Sequence, residues 1–263
     1  MNATSCNLTV LRQETVAEDI MRLTVQWQDR SREPHAGQFY MLRAWAADAT
    51  PILSRPISVD DFDNQTGALT FLYQVKGEGT HKLAALKKDD TLTVTGPCGN
   101  GFDTAALAGQ YKRIAVVGGG IGTAPLLLLC KELCRAGVRP TCSWLPRHDL
   151  RHGPLCALVP RHLRRNRLRQ GRGTDGLVTD LLDVSKYDIV LTCGPMVMMR
   201  GVASSAPPQA CPAWPGLEKK MACGLGACHG LQPAIRKSAR SPSARTARSL
   251  THRRCLTDGR PAC

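Results

Sequence analysis

The sequence predicts a multidomain protein of β and α/β structure, with an N-terminal antiparallel β-barrel, a doubly wound parallel-sheet domain and a small C-terminal cysteine module. Three observations support this architecture. Residues 1–103 contain short strand-like runs separated by turn residues. An apolar strand, a glycine turn and a helix-length segment follow from Tyr111. Two cysteines with C-x₄-C spacing occur at 223–228 in this chain of 263 residues.

The barrel prediction depends on alternation between polar and apolar residues. Such alternation occurs in Asn7–Val10 and Ile20–Trp27, and further strand-like runs cover Leu69–Val75 and Thr91–Thr95. Turn residues such as Asp63-Asn64 separate these runs. Many short strands with regular turns indicate a small barrel.

The second domain is predicted over residues 111–203. Ile114–Val117 is a short apolar strand, Gly118–Gly122 is a glycine turn, and Thr123–Ala136 has the length of a helix. A second apolar strand is predicted at Tyr187–Thr192. These elements are typical of a doubly wound sheet.

Composition excludes several classes of protein. Hydrophobic residues make up 43% and charged residues 21% of the chain, which is ordinary for a globular protein. No apolar stretch is long enough to span a bilayer, and the first ten residues lack the pattern of a secretory signal. Twelve cysteines without such a signal indicate metal ligands or reduced thiols. We therefore expect a cytoplasmic protein with no membrane contact.

The net charge of +14 is confined to two segments. Residues 142–172 and 231–263 each carry a net charge of +7, and the remaining residues sum to zero. Because arginine, proline and serine rise abruptly there and the hydrophobic period disappears, we interpret both segments as translated out of frame. The alternative is a genuine basic insertion and tail, which would bind nucleic acid only through phosphates and without specificity. Residues 204–216, rich in proline, alanine and serine, are predicted to be a linker.

Three motifs in the predicted barrel suit a flavin nucleotide. In Arg55-Pro56-Ile57-Ser58, the guanidinium can bind a phosphate through paired donors, and Ser58 can contact a flavin ring. Leu72-Tyr73-Gln74 supplies an aromatic ring that can pack near the isoalloxazine. Gly77-Glu78-Gly79-Thr80 offers backbone N–H groups and a hydroxyl to a pyrophosphate. Taken singly, each motif is more typical of a surface turn or a glycine-rich hairpin.

Two turns of the second domain suit a nicotinamide dinucleotide. Gly118-Gly119-Gly120-Ile121-Gly122 lies between a strand and a helix, where exposed N–H groups and the helix dipole favour a phosphate. Cys193-Gly194-Pro195 ends the second strand, at the carboxyl edge of the sheet. The alternative for the glycine run is a tight turn without a ligand.

The third site is the segment MACGLGACHG at residues 221–230. Its C-x₄-C pair, Cys223 and Cys228, resembles the start of a plant-type iron–sulfur site, although such a pair also occurs as two buried thiols. The third ligand is expected at position 231, where this chain has Leu231. Cys255 and Cys263 are too distant in sequence to be the fourth.

Together, RPIS, LYQVKGEGT, GPCGNGF at Gly96–Phe102 and MACGLGACHG resemble the ferredoxin-reductase-like FAD/NAD family, and within it the electron-transfer subunits of two-subunit dihydroorotate dehydrogenases. The resemblance covers residues 7–135, 174–202 and 217–230. It implies an FAD-binding barrel over 1–103, an NAD-binding domain over 111–203 and a 2Fe–2S module over 217–263 that is atypical after residue 230.

The resemblance also assigns cofactor-binding residues. The residues implied for FAD are Arg55, Pro56, Ile57, Ser58, Leu72, Tyr73, Gln74, Gly79 and Thr80. Those implied for NAD are Gly118, Gly119, Gly120, Gly122, Cys193, Gly194 and Pro195. The cluster would be held by Cys223 and Cys228. Gln74 is a departure, because the family usually has arginine there.

The implied function is electron transfer in pyrimidine biosynthesis. Electrons would pass from the FMN of a catalytic dihydroorotate dehydrogenase subunit, through 2Fe–2S and FAD, to NAD⁺. The two kinds of subunit would form a heterotetramer. No side chain of this chain would need to act as a general acid or base. Two alternatives remain open: the flavin subunit of a sulfide dehydrogenase or ferredoxin–NADP⁺ reductase complex, and an inactive basic relic that binds nucleic acid.

Overall fold

The computed structural model describes residues 3–145, 183–204 and 213–216. These residues form a closed barrel of six antiparallel strands and a four-stranded parallel sheet with helices, so the predicted β and α/β architecture is confirmed. Most of the first arginine-rich segment and all of 217–263, with Cys223 and Cys228, lie outside the described residues. No described helix has the length and apolarity needed to cross a membrane.

The barrel strands pair in the order β1-β2-β5-β4-β3-β6, and β6 returns to β1. A short helix, α1, covers Glu78–Ala84 between β5 and β6. The strands are β1 Thr4–Ala17, β2 Ile20–Gln26, β3 Phe39–Arg43, β4 Arg55–Asp63, β5 Ala68–Gln74 and β6 Thr91–Cys98.

Aromatic rings fill the centre of the barrel. Tyr40 lies between Trp27 and Phe71 in edge-to-face contacts, with ring centroids 5.3 and 5.6 Å apart. A Cβ atom at Gly96 would lie 2.2 Å from the Tyr40 ring, so only glycine permits this close approach.

The parallel sheet has the strand order β10-β9-β7-β8. Helix α2, Thr104–Gln110, leads from the barrel into this region. The sheet elements are β7 Ile114–Gly119, a 3₁₀ turn Gly120–Thr123, α3 Ala124–Arg135, β8 Thr141–Leu145, a 3₁₀ turn Val184–Lys186, β9 Ile189–Cys193, α4 Met196–Ser204 and β10 Ala213–Gly216.

Two sequence boundaries need correction. The predicted linker 204–216 is wrong at its end, because residues 213–216 form β10 and pair in parallel with β9. The atypical segment 142–172 begins inside β8, which pairs with β7 over Ala115–Gly119. Both segments are therefore strands because their backbones pair with a neighbouring strand. Such pairing cannot be predicted from the composition of the segment.

Helix α3 joins the barrel to the sheet. It packs against β4, and its apolar residues from Ala124 to Cys130 are buried. The Lys131 ammonium pairs with the Asp61 carboxylate of β4. The Glu132 carboxylate accepts hydrogen bonds from the Ala36 N–H at 2.9 Å and the Thr104 hydroxyl at 3.2 Å. One helix thus contacts the barrel, its 35–38 turn and α2.

A buried ion pair lies on the barrel wall. Arg22 of β2 approaches Asp60 of β4 with 3.8 Å between Nε and Oδ2, and only 1% of the Asp60 side chain is exposed. Burial raises the pKa of Asp60 from its ordinary value of 3.8 to about 7, although the Arg22 charge acts in the opposite direction. The folded protein therefore holds the Asp60 proton at pH values where the unfolded chain has lost it.

We expect the Asp60 carboxyl to make the free energy of unfolding fall as pH rises from about 5 to about 8. In this window the folded state binds more protons than the unfolded state, since the folded pKa of Asp60 is raised to about 7. Asp60→Asn should make the decline smaller, as measured by urea unfolding at both pH values.

The matched control is Asp48→Asn, at an exposed position between β3 and β4. This variant should retain the decline of the unmodified chain. An equal decline in Asp60→Asn and the unmodified chain would contradict the assignment to Asp60.

Candidate functional site

The two predicted nucleotide turns lie at the same edge of the sheet. Strands β7 and β9 are parallel neighbours, and Gly118 is opposite Cys193 in their register. The turns that follow both strands therefore emerge side by side at their carboxyl ends. Among the described strands, β8 and β9 lie on opposite sides of β7. Doubly wound sheets bind ligands at such a position, in the crevice at the carboxyl ends of the strands.

Glycines bring these two turns into direct contact. A Cβ atom at Gly122 would lie 2.5 Å from the Gly194 Cα, and one at Gly194 would lie 2.9 Å from the Gly119 carbonyl oxygen. Gly194 also has a φ of 153°, which L side chains rarely adopt. The residues predicted to bind one dinucleotide are thus placed together, because no Cβ atom of these glycines separates the two turns.

The glycine turn leads directly into the amino terminus of α3. The Thr123 hydroxyl donates a hydrogen bond to the Gly120 carbonyl at 2.9 Å and closes the 3₁₀ turn. Proline lies in the first turn of α3, at Pro125, where its missing N–H removes no helical hydrogen bond. Because the first N–H groups of a helix have no helical acceptor, this terminus suits a phosphate.

Met198 is a residue of this site that sequence reasoning missed. A Cβ atom at Gly119 would lie 2.6 Å from the Met198 Sδ, and one at Gly194 would lie 2.8 Å from its Cε. The thioether therefore lies against both turns. Its position three residues after Pro195, at the start of α4, is the only sequence signal for this placement.

The first flavin motif forms the beginning of β4. Arg55 is opposite Leu42 of β3, and its Nη2 donates to the Leu53 carbonyl at 2.5 Å. A Cβ atom at Gly79 would lie 3.0 Å from the Arg55 Cδ, so the arginine stem covers this glycine. The Arg55 Nε is buried and has no hydrogen-bond partner among the described residues. Two motifs predicted to bind FAD phosphates are therefore in contact.

Thr80 shapes the start of α1. Its hydroxyl oxygen accepts from the N–H groups of Lys76 at 2.9 Å and Gly77 at 3.0 Å, and its hydrogen is donated to the Gly77 carbonyl at 2.8 Å. Gly77 is the N-cap of α1, and the Thr80 hydroxyl accepts from its N–H group, which is one half of a capping box. The predicted glycine-rich segment is thus a strand-to-helix turn, and the hydroxyl is engaged within the turn.

The Tyr73 ring lies inside the barrel. Only 2% of the residue is exposed, and its hydroxyl accepts a hydrogen bond from Gln13 Nε2 at 2.9 Å. Burial raises the pKa of Tyr73 to about 12. The ring is enclosed in the barrel core, and its packing near an isoalloxazine stays a prediction.

The flavin-motif strand and the nucleotide turn meet at Leu72. This side chain of β5 packs in one apolar cluster with Ile20, Ala124 and Ile121 of the glycine turn. The end of β5, which carries Leu72-Tyr73-Gln74, is therefore adjacent to the start of α3. The two halves of the predicted site share one boundary.

Comparisons with known proteins identify relatives of this chain. No family model matches the chain. It is 37% identical over 222 residues to the dihydroorotate dehydrogenase B (NAD(+)) electron transfer subunit of Clostridium acetobutylicum, covering 81% of this chain and 82% of that protein. It is 34% identical over 230 residues to the subunit of the same name from Caldanaerobacter subterraneus, with 87% of each chain covered.

Solved structures share the fold. An NADH-dependent reduced ferredoxin–NADP oxidoreductase superposes with a TM-score of 0.74 at 24% identity, over 96% of this chain and 90% of that one. Phthalate dioxygenase reductase superposes with a TM-score of 0.58 at 16% identity, over 82% and 70% of the two chains.

Gly122→Ala should weaken NADH binding by about tenfold or more, as measured by calorimetric titration. The new methyl group would lie 2.5 Å from the Gly194 backbone, so the two turns must separate. Gly109→Ala is the matched control, because a Cβ atom there meets nothing within 4 Å. Equal NADH affinity in the two variants would contradict the placement of the nucleotide at these turns.

Proposed function

The chain belongs to the family of dihydroorotate dehydrogenase B (NAD(+)) electron transfer subunits, and from this premise we propose that it carries electrons between a catalytic dihydroorotate dehydrogenase subunit and NAD⁺. The observation that carries the proposal is the contact between β5 and the glycine turn, where Ile121 packs against the apolar cluster that contains Leu72. This contact brings a flavin motif and a nucleotide motif to one boundary, as hydride transfer between two bound cofactors requires.

FAD is proposed to bind along the ends of β4 and β5 and the start of α1. Arg55 supplies a guanidinium whose Nε has no partner among the described residues. Gly79, in the first turn of α1, lies against the aliphatic stem of Arg55, so this turn and the arginine border the same part of the proposed site. Ser58, a buried residue of β4, and the β5 backbone at Leu72–Gln74 complete the proposed set.

The nicotinamide dinucleotide is proposed to bind across the two glycine turns. Gly119, Gly122 and Gly194 allow the two turns to lie in contact, and the phosphates are proposed to bind at the N–H groups at the start of α3. Cys193 is buried at the end of β9, beside Gly118. When bound, FAD supplies the exchange between single electrons and a hydride, and the protein supplies placement and electrostatics.

The cluster is proposed to bind at Cys223 and Cys228, which lie outside the described residues. A complete 2Fe–2S site needs further ligands, because Leu231 occupies the position where the third cysteine is expected. A heterotetramer with the catalytic subunit, in the cytoplasm, is part of the proposal. The buried Cys130 and Cys142 sulfurs form a hydrogen bond at 3.3 Å.

Reconstitution with a catalytic dihydroorotate dehydrogenase subunit tests the proposal. We expect the two chains to co-elute from a sizing column and to form NADH from dihydroorotate and NAD⁺ under anaerobic conditions. Gly122→Ala should co-elute equally well and form NADH more slowly, since only its nucleotide turns are changed. NADH formation from sulfide or reduced ferredoxin, with none from dihydroorotate, would contradict the proposal and favour the other flavin subunits.

A further inference from the structure

The loop between β3 and β4, residues 44–54, reaches the proposed FAD site through Trp45. A Cβ atom at Gly79 would lie 3.0 Å from the Trp45 Cη2, as close as it would lie to the Arg55 Cδ. The indole and the arginine stem therefore cover the same glycine. None of the sequence motifs includes Trp45.

Hydrogen bonds hold the Trp45 ring in place. Its Nε1 donates to the Pro51 carbonyl at 2.7 Å. Arg43 ties the loop together, because its guanidinium donates to the Ala47 carbonyl at 3.0 Å and to the Ile52 carbonyl. Lys82 of α1 donates to the Thr50 carbonyl, which fastens the loop to the helix. The Trp45 indole is thus half-buried and held in a fixed position.

Positively charged side chains surround the Trp45 indole. The Arg43 guanidinium carbon and the Lys82 ammonium each lie 5.8 Å from the Trp45 ring centroid, and Arg55 lies beside the ring at Gly79. Glu78 is the one carboxylate paired within this group, 3.1 Å from Lys82. Asp48 of the same loop adds a second carboxylate, so three cations and two anions leave one positive charge, which favours the negatively charged pyrophosphate of a dinucleotide.

Topology decides which arm of FAD can reach Trp45. Strand β4 separates β3, which precedes Trp45, from β5, which contacts the nucleotide turn at Ile121. The isoalloxazine must lie near that turn to exchange a hydride with the nicotinamide. A pyrophosphate at Gly79 then directs the adenosine arm the other way, toward the loop 44–54.

We propose that Trp45 is a specificity-determining residue that contacts the adenosine arm of FAD and makes this site prefer FAD over FMN. The inference rests on the proposed function. A fixed aromatic ring bordered by cations has the chemistry that recognises a base joined to phosphates, and base–aromatic stacking contributes about tenfold in affinity. FMN lacks the adenosine arm, so contact with the Trp45 ring adds nothing to its binding affinity.

The test compares FAD and FMN affinities of the full chain after removal of flavin, by quenching of flavin fluorescence. Trp45→Ala should weaken FAD binding about tenfold and change FMN binding less than about twofold. Trp45→Phe should stay within about threefold of the unmodified chain for FAD, because it keeps an aromatic face. Ile52→Ala, on the same loop and 73% exposed, should change neither affinity.

Each other outcome has a defined meaning. Equal losses of FAD and FMN in Trp45→Ala would make Trp45 a structural residue and overturn the inference, as would unchanged FAD binding. An unmodified chain that binds FMN as tightly as FAD would overturn the inference and leave the flavin site of the proposed function intact. A chain that binds neither flavin would overturn both.

Discussion

The site depends on one steric constraint: the backbones of Gly119, Gly122 and Gly194 touch, with no room for a side chain. An added Cβ at Gly122 would meet the Gly194 backbone at 2.5 Å. A side chain at Gly122 would therefore push the two turns apart. The pairing of β7 with β9 holds the turns in this position. The paired turns lie next to the amino terminus of α3, where a phosphate is electrostatically favoured.

Helix α3 connects the nucleotide turn to the barrel. Its amino terminus forms part of the nucleotide turn, its buried face packs on β4, and Glu132 binds the N–H of Ala36 and the hydroxyl of Thr104. A shift of α3 would therefore break contacts at the turn and at the barrel together. Placement of one cofactor against the other thus follows from packing of a single helix, and no catalytic side chain is needed for it.

Local patterns predicted some elements and long-range packing decided others. Strands β7 and β9 and the glycine turn were predictable because apolar runs and glycines mark them directly. Strand β3 was not, since four of its five residues are buried and alternation is absent. Leu72 and Tyr73 are both buried because α3 covers the outside of β5, so alternation could not tell which one faces inward. Trp45 was missed because its contact with Gly79 joins positions distant in sequence.

We propose that the barrel and the sheet place a flavin and a nicotinamide within reach of one another in this single chain. Anaerobic titration of the FAD-loaded chain with NADH, without any partner subunit, tests the claim most directly. The account predicts that the flavin absorbance band bleaches in proportion to the NADH added. A chain that binds both FAD and NADH while its flavin stays oxidised would contradict it.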